Sequence, residues 1–420
     1  MNKIEELIQQ YCPEGVEFTE IGKIGDFYGG LTGKNKNDFQ DGNAKFITYM
    51  NVFSNIAVKT DIDIFVKIGE KENQNRVEYG DVLFTGSSET PDECGMSSVL
   101  TEKITEPLYL NSFCFGFRLH DKELFLPDFL KYLFRDDSIR KQIGQTASGV
   151  TRFNISKKRF AKVIIPIPPL PIQQEIVKIL DSFTQLEAEL EAELEARRKQ
   201  YEYYRNQLLS ATEVNGKWLM NGAEVEWKTL GEVCKISSGG TPSTNEKLYW
   251  VNGTIPWLKS EVCKDCYLSN SKTYITELGL NNSSAKYLEK GTVLMAMVGA
   301  TIFKAAFLNF QATTNQNIAG IKSIDTEKLS DKYIFYYILK SYNFLTSKLS
   351  GYNMINLSQI KSIPIPIPPL SEQDRITGIL DKFDSLVNDI SVGLPAEIDG
   401  RRKQYNYYRG KLLDFKPLNN

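Results

Sequence analysis

The sequence predicts an α+β chain: two tandem domains, mixed and strand-rich with helices, separated by two long antiparallel helices that form a coiled coil, the whole a pseudo-twofold internal repeat. Three observations predict it. The run Ile167-Pro168-Pro169-Leu170 returns unchanged as Ile367-Pro368-Pro369-Leu370. Each copy is followed by the same landmarks: Ile176, Ile179-Leu180-Asp181 and Phe183, then Ile376, Ile379-Leu380-Asp381 and Phe383. Each series ends in the same basic-aromatic run, Arg197-Arg198-Lys199-Gln200-Tyr201 and Arg401-Arg402-Lys403-Gln404-Tyr405. One unit is used twice, giving a first domain at 1–165, a first helix at 166–213, a second domain at 214–365 and a second helix at 366–420.

The domains repeat as well as the helices. Val16-Glu17-Phe18 followed by Gly22 is echoed by Val225-Glu226-Trp227 followed by Gly231. Gly80-Asp81-Val82-Leu83 and Gly291-Thr292-Val293-Leu294 both read as a turn into a buried strand. Asn111 and Gly116 match Asn315 and Gly320, and Gly149 and Asn154 match Gly351 and Asn356. Between these anchors, residues 30–60 and 240–275 share little. A common frame with divergent loops suggests one fold carrying two different surfaces.

Pro166, Pro168 and Pro169 can neither extend a helix nor donate to a central ladder, so this segment runs extended. Pro171 suits a first helical turn. In the helix that follows, Ile176, Ile179, Phe183, Leu186 and Leu190 step by three and four as a coiled-coil seam. Leu194 comes four further, a stutter that locally unwinds the supercoil. Across this stretch the offset between the copies grows from 200 to 204, so the second helix is expected to carry four more residues. Gly393-Leu394-Pro395 should break or kink it there. Residues 172–209 would span about 57 Å, a ruler between two domains.

Length, 420 residues, fits two to three domains, and 41% hydrophobic with 24% charged residues is ordinary globular composition. No apolar run approaches a membrane span, and the acidic start lacks a signal-peptide core, so a cytoplasmic protein is expected. The six cysteines show no framework spacing. Cys263 and Cys266 form a single pair far from the only histidine, His120, whereas a zinc site needs four ligands; no metal is expected. Net charge is -2, but acid is concentrated at Glu187, Glu189, Glu191, Glu193 and Glu195, so charge distribution rather than its sum bears on nucleic-acid binding.

Catalytic signatures are missing from the sequence. Gly29-Gly30-Leu31-Thr32-Gly33-Lys34 is one residue short of a phosphate loop, and Asn35 stands where the hydroxyl residue belongs. There is no nucleophile elbow and no Asn/Asp-Pro-Pro-Tyr/Phe motif of an amino methyltransferase. No intrinsic catalysis and no bound cofactor are expected.

Loops expected to protrude carry the mixture that DNA contact needs. In the first domain these are Lys34, Asn35 and Lys36, then Thr48, Tyr49 and Asn51, and then Thr151, Arg152 and Asn154. In the second they are Thr241, Ser243 and Thr244, Lys259 and Ser260, Thr301, Lys304 and Asn353. Amides and arginine read base edges, while lysine and hydroxyls hold phosphates. The same residue types also fill ordinary turns. Two readers on one DNA face sit about one helical turn, 34–36 Å, apart, a distance that a helical ruler can set.

Taken together, these pieces resemble the specificity subunit of a type I restriction–modification system over residues 13 to 413. The resemblance rests on Pro-Ile-Pro-Pro-Leu with Gln173-Gln174-Glu175-Ile176-Val177, and on the run Arg197 to Arg205. Gly239-Gly240-Thr241-Pro242-Ser243-Thr244 with Ile255-Pro256-Trp257-Leu258-Lys259-Ser260 resembles the opening of a recognition module. It implies two target recognition domains, each reading one part of a bipartite, asymmetric site in double-stranded DNA. It implies helices that space the two and dock two methyltransferase subunits, with motor/restriction subunits in the full complex. S-adenosylmethionine, ATP and Mg belong to those partners. Ile176, Phe183, Leu190, Arg197, Tyr201, Tyr204, Ile376, Phe383, Arg401, Tyr405 and Tyr408 are the residues assigned to docking; for the runs 197–205 and 401–409 phosphate binding is the alternative, and the seam-side tyrosines favour packing between the helices or against a methyltransferase. The family pattern Gly-Ala-Thr-Ile-Gly-Lys reads Gly299-Ala300-Thr301-Ile302-Phe303-Lys304 here, and the first domain, with Gly86-Ser87-Ser88-Glu89, lacks it. The competing reading is a non-catalytic scaffold that binds only proteins through tandem domains on a coiled coil.

Overall fold

The computed structural model describes residues 2–348, 354–389 and 391–418. The chain forms two compact units, Met1–Glu189 with Asp399–Asn420, and Leu190–Ile398. Each unit therefore holds one repeat's domain, the first part of that repeat's helix and the last part of the other repeat's helix. The linear divisions at 165, 213 and 365 run through this exchange.

In the first unit an antiparallel sheet orders Gly25–Gly29, Cys114–Leu119, Val82–Thr85 and Ser97–Val99. A second sheet places Ala44–Ile47 between Phe65–Val66 and Leu108–Leu110, the latter pairing parallel. In the second unit the matching sheets run Cys234–Ser238, Ile318–Ser323, Val293–Ala296, Ala305–Leu308 and Cys266–Leu268, and Tyr274–Ile275, Ile255–Leu258 and Thr313–Thr314. Val82–Thr85 and Val293–Ala296 are buried at every position, as strands covered on both faces must be. Phe84, Phe115, Phe117, Phe134 and Phe160 fill the first core, and Tyr333, Phe335, Tyr336 and Ile338 of the helix Asp331–Lys348 fill the second.

The strands Ile164–Ile167 and Pro364–Ile367 lead into the paired prolines and lie in two-stranded ladders, the place where a strand containing proline is tolerated. Glu17 pairs with Ile167 and Phe18 with Pro166, and Glu226 pairs with Ile367 and Trp227 with Pro366. Next to these ladders Gly22 and Gly231 explain their repetition. A Cβ on Gly22 would lie 2.7 Å from the Ala161 side chain, and one on Gly231 would lie 2.9 Å from that of Lys361.

A buried glutamine fastens each domain to its helix. Gln173 Nε2 donates to the carbonyls of Leu124 and Pro168, and its Oε1 accepts from Leu126 N. Gln373 Nε2 donates to the carbonyls of Lys328 and Pro368, and its Oε1 accepts from Ser330 N. Both side chains are fully buried, and each amide satisfies three backbone groups, of which the carbonyl of Pro168 or Pro368 is bonded in the buried interior. About two turns on, Asp181 accepts from Tyr132 Oη at 2.5 Å and pairs with Lys131 at 2.9 Å. Asp381 accepts from Tyr336 and Tyr267 at 2.6 Å and pairs with Lys332 at 2.6 Å.

The first long helix is continuous from Leu170 to Leu208, 39 residues. The second is Leu370–Asn388, 19 residues, and Leu394–Leu413, 20 residues, so the two pieces together equal the first in helical length. The extra residues expected to lengthen the second helix therefore do not add to its helical length: they fall in the break between Asn388 and Leu394. There Gly393 N donates to Asp389 O at 3.0 Å, and a Cβ on Gly393 would lie 2.4 Å from Ser385 O.

Within the first unit Phe183 stacks on Tyr408 with centroids 5.5 Å apart and meets Tyr405 at 6.5 Å, while Arg402 bonds Glu187. Sequence rises in one segment as it falls in the other, so they pack antiparallel. Within the second unit Phe383 stacks on Tyr204 at 5.5 Å and Tyr201 at 6.2 Å. Ile176 and Ile376 are fully buried in their own units. Of the residues assigned to docking, Ile176, Ile376 and Tyr201 are buried within their own units, whereas Phe183, Phe383, Tyr405 and Tyr408 are half-buried in these ring contacts and Tyr204 stays 37% exposed. Arg197 bonds Glu193 and Gln200, and Arg401 bonds Gln404. Leu190 is half-buried, and no residue from 181 to 200 is fully buried. No helix among the described residues is long and apolar enough to cross a membrane.

Candidate nucleic-acid interface

In the first unit the strand Ala44–Ile47 delivers the chain to a short helix, Tyr49–Ser54. Thr48 is its N-cap, with Oγ1 accepting from Asn51 N at 3.2 Å. Arg135 holds the other end: its Nη2 donates to the carbonyls of Val52, Phe53 and Asn55, and its Nε to Ser97 O. Half-buried among carbonyls, with no carboxylate partner among the described residues, Arg135 has its pKa pulled down to about 10, chiefly by desolvation. Tyr49 Oη donates to Ser87 O at 2.8 Å, tying the helix to the small sheet of Ser87–Ser88, Phe153–Ile155 and Ala147–Ser148. At that hairpin's tip Gly149 has φ +155°, and a Cβ there would lie 2.0 Å from Arg152 O.

This folding places Tyr49, Thr151 and Arg152 around one open cleft of about 470 Å³, with Met50, Ser87, Ser88, Glu89 and Glu93. Arg152 Nε and Nη2 donate to Ser87 Oγ at 3.1 and 2.9 Å, and its guanidinium lies 5.4 Å from the Phe113 ring centroid. Ser88 Oγ donates to Glu93 Oε2 at 3.1 Å. Met50 is 59% exposed, Phe113 58% and Val150 91%. Exposed apolar groups beside an arginine fit base edges better than a purely cationic groove does.

Other predicted contacts of this domain lie elsewhere or are occupied. Asn51 is buried, donating to Lys59 O and accepting from Lys59 N, so its amide holds a loop and is not free to read a base. Lys34 bonds Glu72 and Lys67 O at 2.5 Å with its side chain 9% exposed, which removes it as a phosphate contact. Asn35 caps a short 3-10 turn, Lys36–Phe39, with Lys36 exposed on it. Asn154 pairs through its backbone with Ser87 and its side chain is exposed.

The second unit repeats the frame with different chemistry. Ile255–Leu258 delivers the chain to Lys259, the N-cap position of a 3-10 turn, Ser260–Val262. Lys259 is exposed, its Nζ 6.0 Å from the Trp257 ring, and Thr301 Oγ1 donates to Ser260 O at 3.2 Å. Met354 bridges Val298 as Phe153 pairs with Ser88 in the first unit. Lys304 is paired with Asp265 at 2.7 Å and is withdrawn from simple phosphate contact. Thr241 donates to Gln316, and Trp250 Nε1 donates to Ser243 O, anchoring a loop on which Thr241, Ser243 and Thr244 are exposed. Asn353 lies outside the described residues. Phe303, which departs from the family's glycine, has φ +66° and is 3% exposed, a left-handed conformation that favours glycine and that packing of the ring sustains here.

Sequence reasoning passed over Phe113, Glu93 and Arg135. The turn at Asn111, whose Oδ1 accepts from Phe113 N, was a readable sign that Phe113 projects. Nothing local marks Arg135, because its acceptors are backbone carbonyls distant in sequence.

A family model described as "Type I restriction modification DNA specificity domain" matches residues 13–196 and 223–399. The chain is 42% identical over 274 residues to the type I restriction enzyme EcoR124I/EcoR124II specificity subunit of Escherichia coli, covering 62% of this chain and 64% of that subunit. The match thus spans less than two thirds of that relative. A putative type I restriction enzyme specificity subunit of Haemophilus influenzae is 35% identical over 285 residues, covering 64% of this chain and 68% of that protein. A chain solved in work on complex assembly and conformational transition of the type I R-M system aligns with TM-score 0.65 at 19% identity, covering 95% of this chain and 97% of that one. The type I restriction–modification S subunit from M. genitalium aligns with TM-score 0.52 at 13% identity, covering 95% and 96%. At those identities the likeness is one of fold.

Proposed function

We propose a function from the premise that this chain belongs to the type I restriction–modification DNA specificity family: it is the non-catalytic specificity subunit of such a complex. Each domain reads one half of a bipartite, asymmetric site in double-stranded DNA. The long helices set the distance between the halves, and the chain docks two methyltransferase subunits, with motor/restriction subunits joining the full complex in the cytoplasm. S-adenosylmethionine, ATP and Mg are held by those partners and none by this chain.

One observation carries this reading. The framework residues of the two units make the same bonds, Gln173 as Gln373 and Asp181 as Asp381, while the clefts they mount differ. The first cleft presents Arg152, Tyr49 and Glu93, and the corresponding turn of the second presents Lys259, Ser260 and Thr301. Two protein-binding modules of a scaffold would have no need of one shared mount with unlike polar faces.

The test is an exchange of residues 1–165 for the corresponding domain of another such subunit, followed by genome-wide mapping of methylated adenines. One half of the methylated site should change and the other should stay. A change in both halves contradicts modular reading. Binding of duplex DNA by the assembled complex should also weaken steeply as salt rises, whereas salt-insensitive association would favour the protein scaffold.

A further inference from the structure

We propose that the first cleft reads a G·C base pair in the major groove, with Arg152 on the guanine and Glu93 accepting from the cytosine amino group. The inference rests on the function proposed above and narrows it to one base pair and two side chains.

Arginine has five N–H donors in a planar fork. Arg152 gives one from Nε and one from Nη2 to Ser87 Oγ, and the Phe113 ring lies against its guanidinium, so the plane is fixed before any ligand arrives. Ser87 is itself held, since it is 5% exposed and its carbonyl accepts from Tyr49. The remaining donors, on Nη1 and the outer side of Nη2, have no partner among the described residues. Two parallel N–H groups on a fixed plane match guanine O6 and N7.

The neighbours argue against a phosphate there. Glu89 and Glu93 line the same cleft, and a phosphate on Arg152 would face both. A carboxylate instead accepts from cytosine N4, the other half of the same pair. Ser88 orients Glu93 through Oε2 and leaves Oε1 for that bond. Met50 and Val150, both exposed, supply the apolar contact that flanks base edges. Among the described residues, the second domain's matching turn has no arginine–carboxylate pair, so the two halves of the site should differ at this position.

The experiment uses the full-length chain assembled with its methyltransferase subunits and a library of randomised DNA duplexes. Wild type should select a bipartite motif with a G·C pair at a fixed position in the first domain's half. Arg152→Ala and Arg152→Lys should both lose preference at that one position by roughly ten- to a hundredfold, because lysine keeps the charge but not the fork. Glu93→Gln should relax the same position. Preference in the other half, retained in every variant, shows that the protein is folded. An unchanged motif in Arg152→Ala overturns the proposal. So does rescue by Arg152→Lys with a uniform loss in Arg152→Ala and a salt slope smaller by about one, the signature of a phosphate contact. Wild type selecting no motif at all would instead overturn the proposed function.

Discussion

Gln373 is the point at which the second domain is fastened to its helix, and its replacement gives a test with a worked magnitude. Gln373→Ala strands three backbone groups: the carbonyls of Lys328 and Pro368, bonded at 2.8 Å, and Ser330 N, also at 2.8 Å. The buried Pro368 carbonyl left unsatisfied costs about 1–3 kcal/mol and the two half-buried groups, which water partly reaches, add less, so a loss of about 2–4 kcal/mol is expected. Gln373→Glu is sharper. It keeps the acceptor for Ser330 N but turns an oxygen toward two carbonyls in a site from which solvent is excluded. Burial then raises the new carboxyl's folded pKa above its unfolded value of about 4.3. Protonation is favoured in the folded state, so the variant gains stability as pH falls from 8 toward 5, by up to about 1.4 kcal/mol per unit within that window. At pH 8 it should be the less stable of the two variants, and near pH 5 the more stable. The assay is urea unfolding followed by tryptophan fluorescence. All four tryptophans, Trp218, Trp227, Trp250 and Trp257, lie in the second unit, so the signal reports that unit. Gln173→Ala, the same change in the other unit, should leave the tryptophan transition near its wild-type midpoint. A Gln373→Ala cost below about 1 kcal/mol would refute the reasoning, since it would mean that these backbone groups do not depend on the amide.

Two further outcomes are expected. Burial raises the pKa of Asp381, but the bonds from Lys332, Tyr267 and Tyr336 outweigh it and hold the carboxyl below its ordinary value. Its contribution is present above the unfolded pKa of about 3.9 and lost as pH falls through the lower folded value, so Asp381→Asn should cost about 1–3 kcal/mol at pH 7 and flatten the acid limb of the tryptophan-monitored stability profile. Deleting Leu190–Glu193 removes four residues from a stretch with no fully buried side chain, so the chain should still fold. It shortens the helix by about 6 Å and turns it by about 40°, against about 3.4 Å and 35° for one base pair, and mapped methylation sites should shift their half-site spacing by one base pair. An unchanged spacing would sink the ruler.

The parts of the fold that were legible in the sequence are those where backbone constraint and periodicity act locally. Proline dictated the extended runs before both helices, and Gly22 and Gly231 repeat because a Cβ would strike the neighbouring segment. The seam steps predicted a helix face that needs a partner, and Phe183 and Phe383 are packed as that pattern requires. What the pattern could not supply was the identity of the partner surface. A seam is equally a seam whether its other half belongs to this chain or to another, and here Tyr405 and Tyr408 cover Phe183 while Tyr201 and Tyr204 cover Phe383. The site was harder for a related reason. Asn51 and Lys34 have the composition of a contact loop, but Lys59 and Glu72, brought in by the fold, use up their polar groups.

The repeated Ile-Pro-Pro-Leu run can now be given a physical cause. It is kept because three constraints meet within about two helical turns of it: a ladder tolerant of proline, a carbonyl at Pro168 or Pro368 that a buried glutamine must reach, and an isoleucine, Ile176 or Ile376, that fills its unit's core. A change in any one disturbs the other two, so the segment cannot drift as the loops do. The break between Asn388 and Leu394 is free of these constraints and takes up the extra residues of the second copy without altering the helical length. A chain built in this way can vary Tyr49, Arg152, Lys259 or Thr301 at little cost to its mount, because none of these side chains supplies a bond on which the attachment at Gln173 or Gln373 depends.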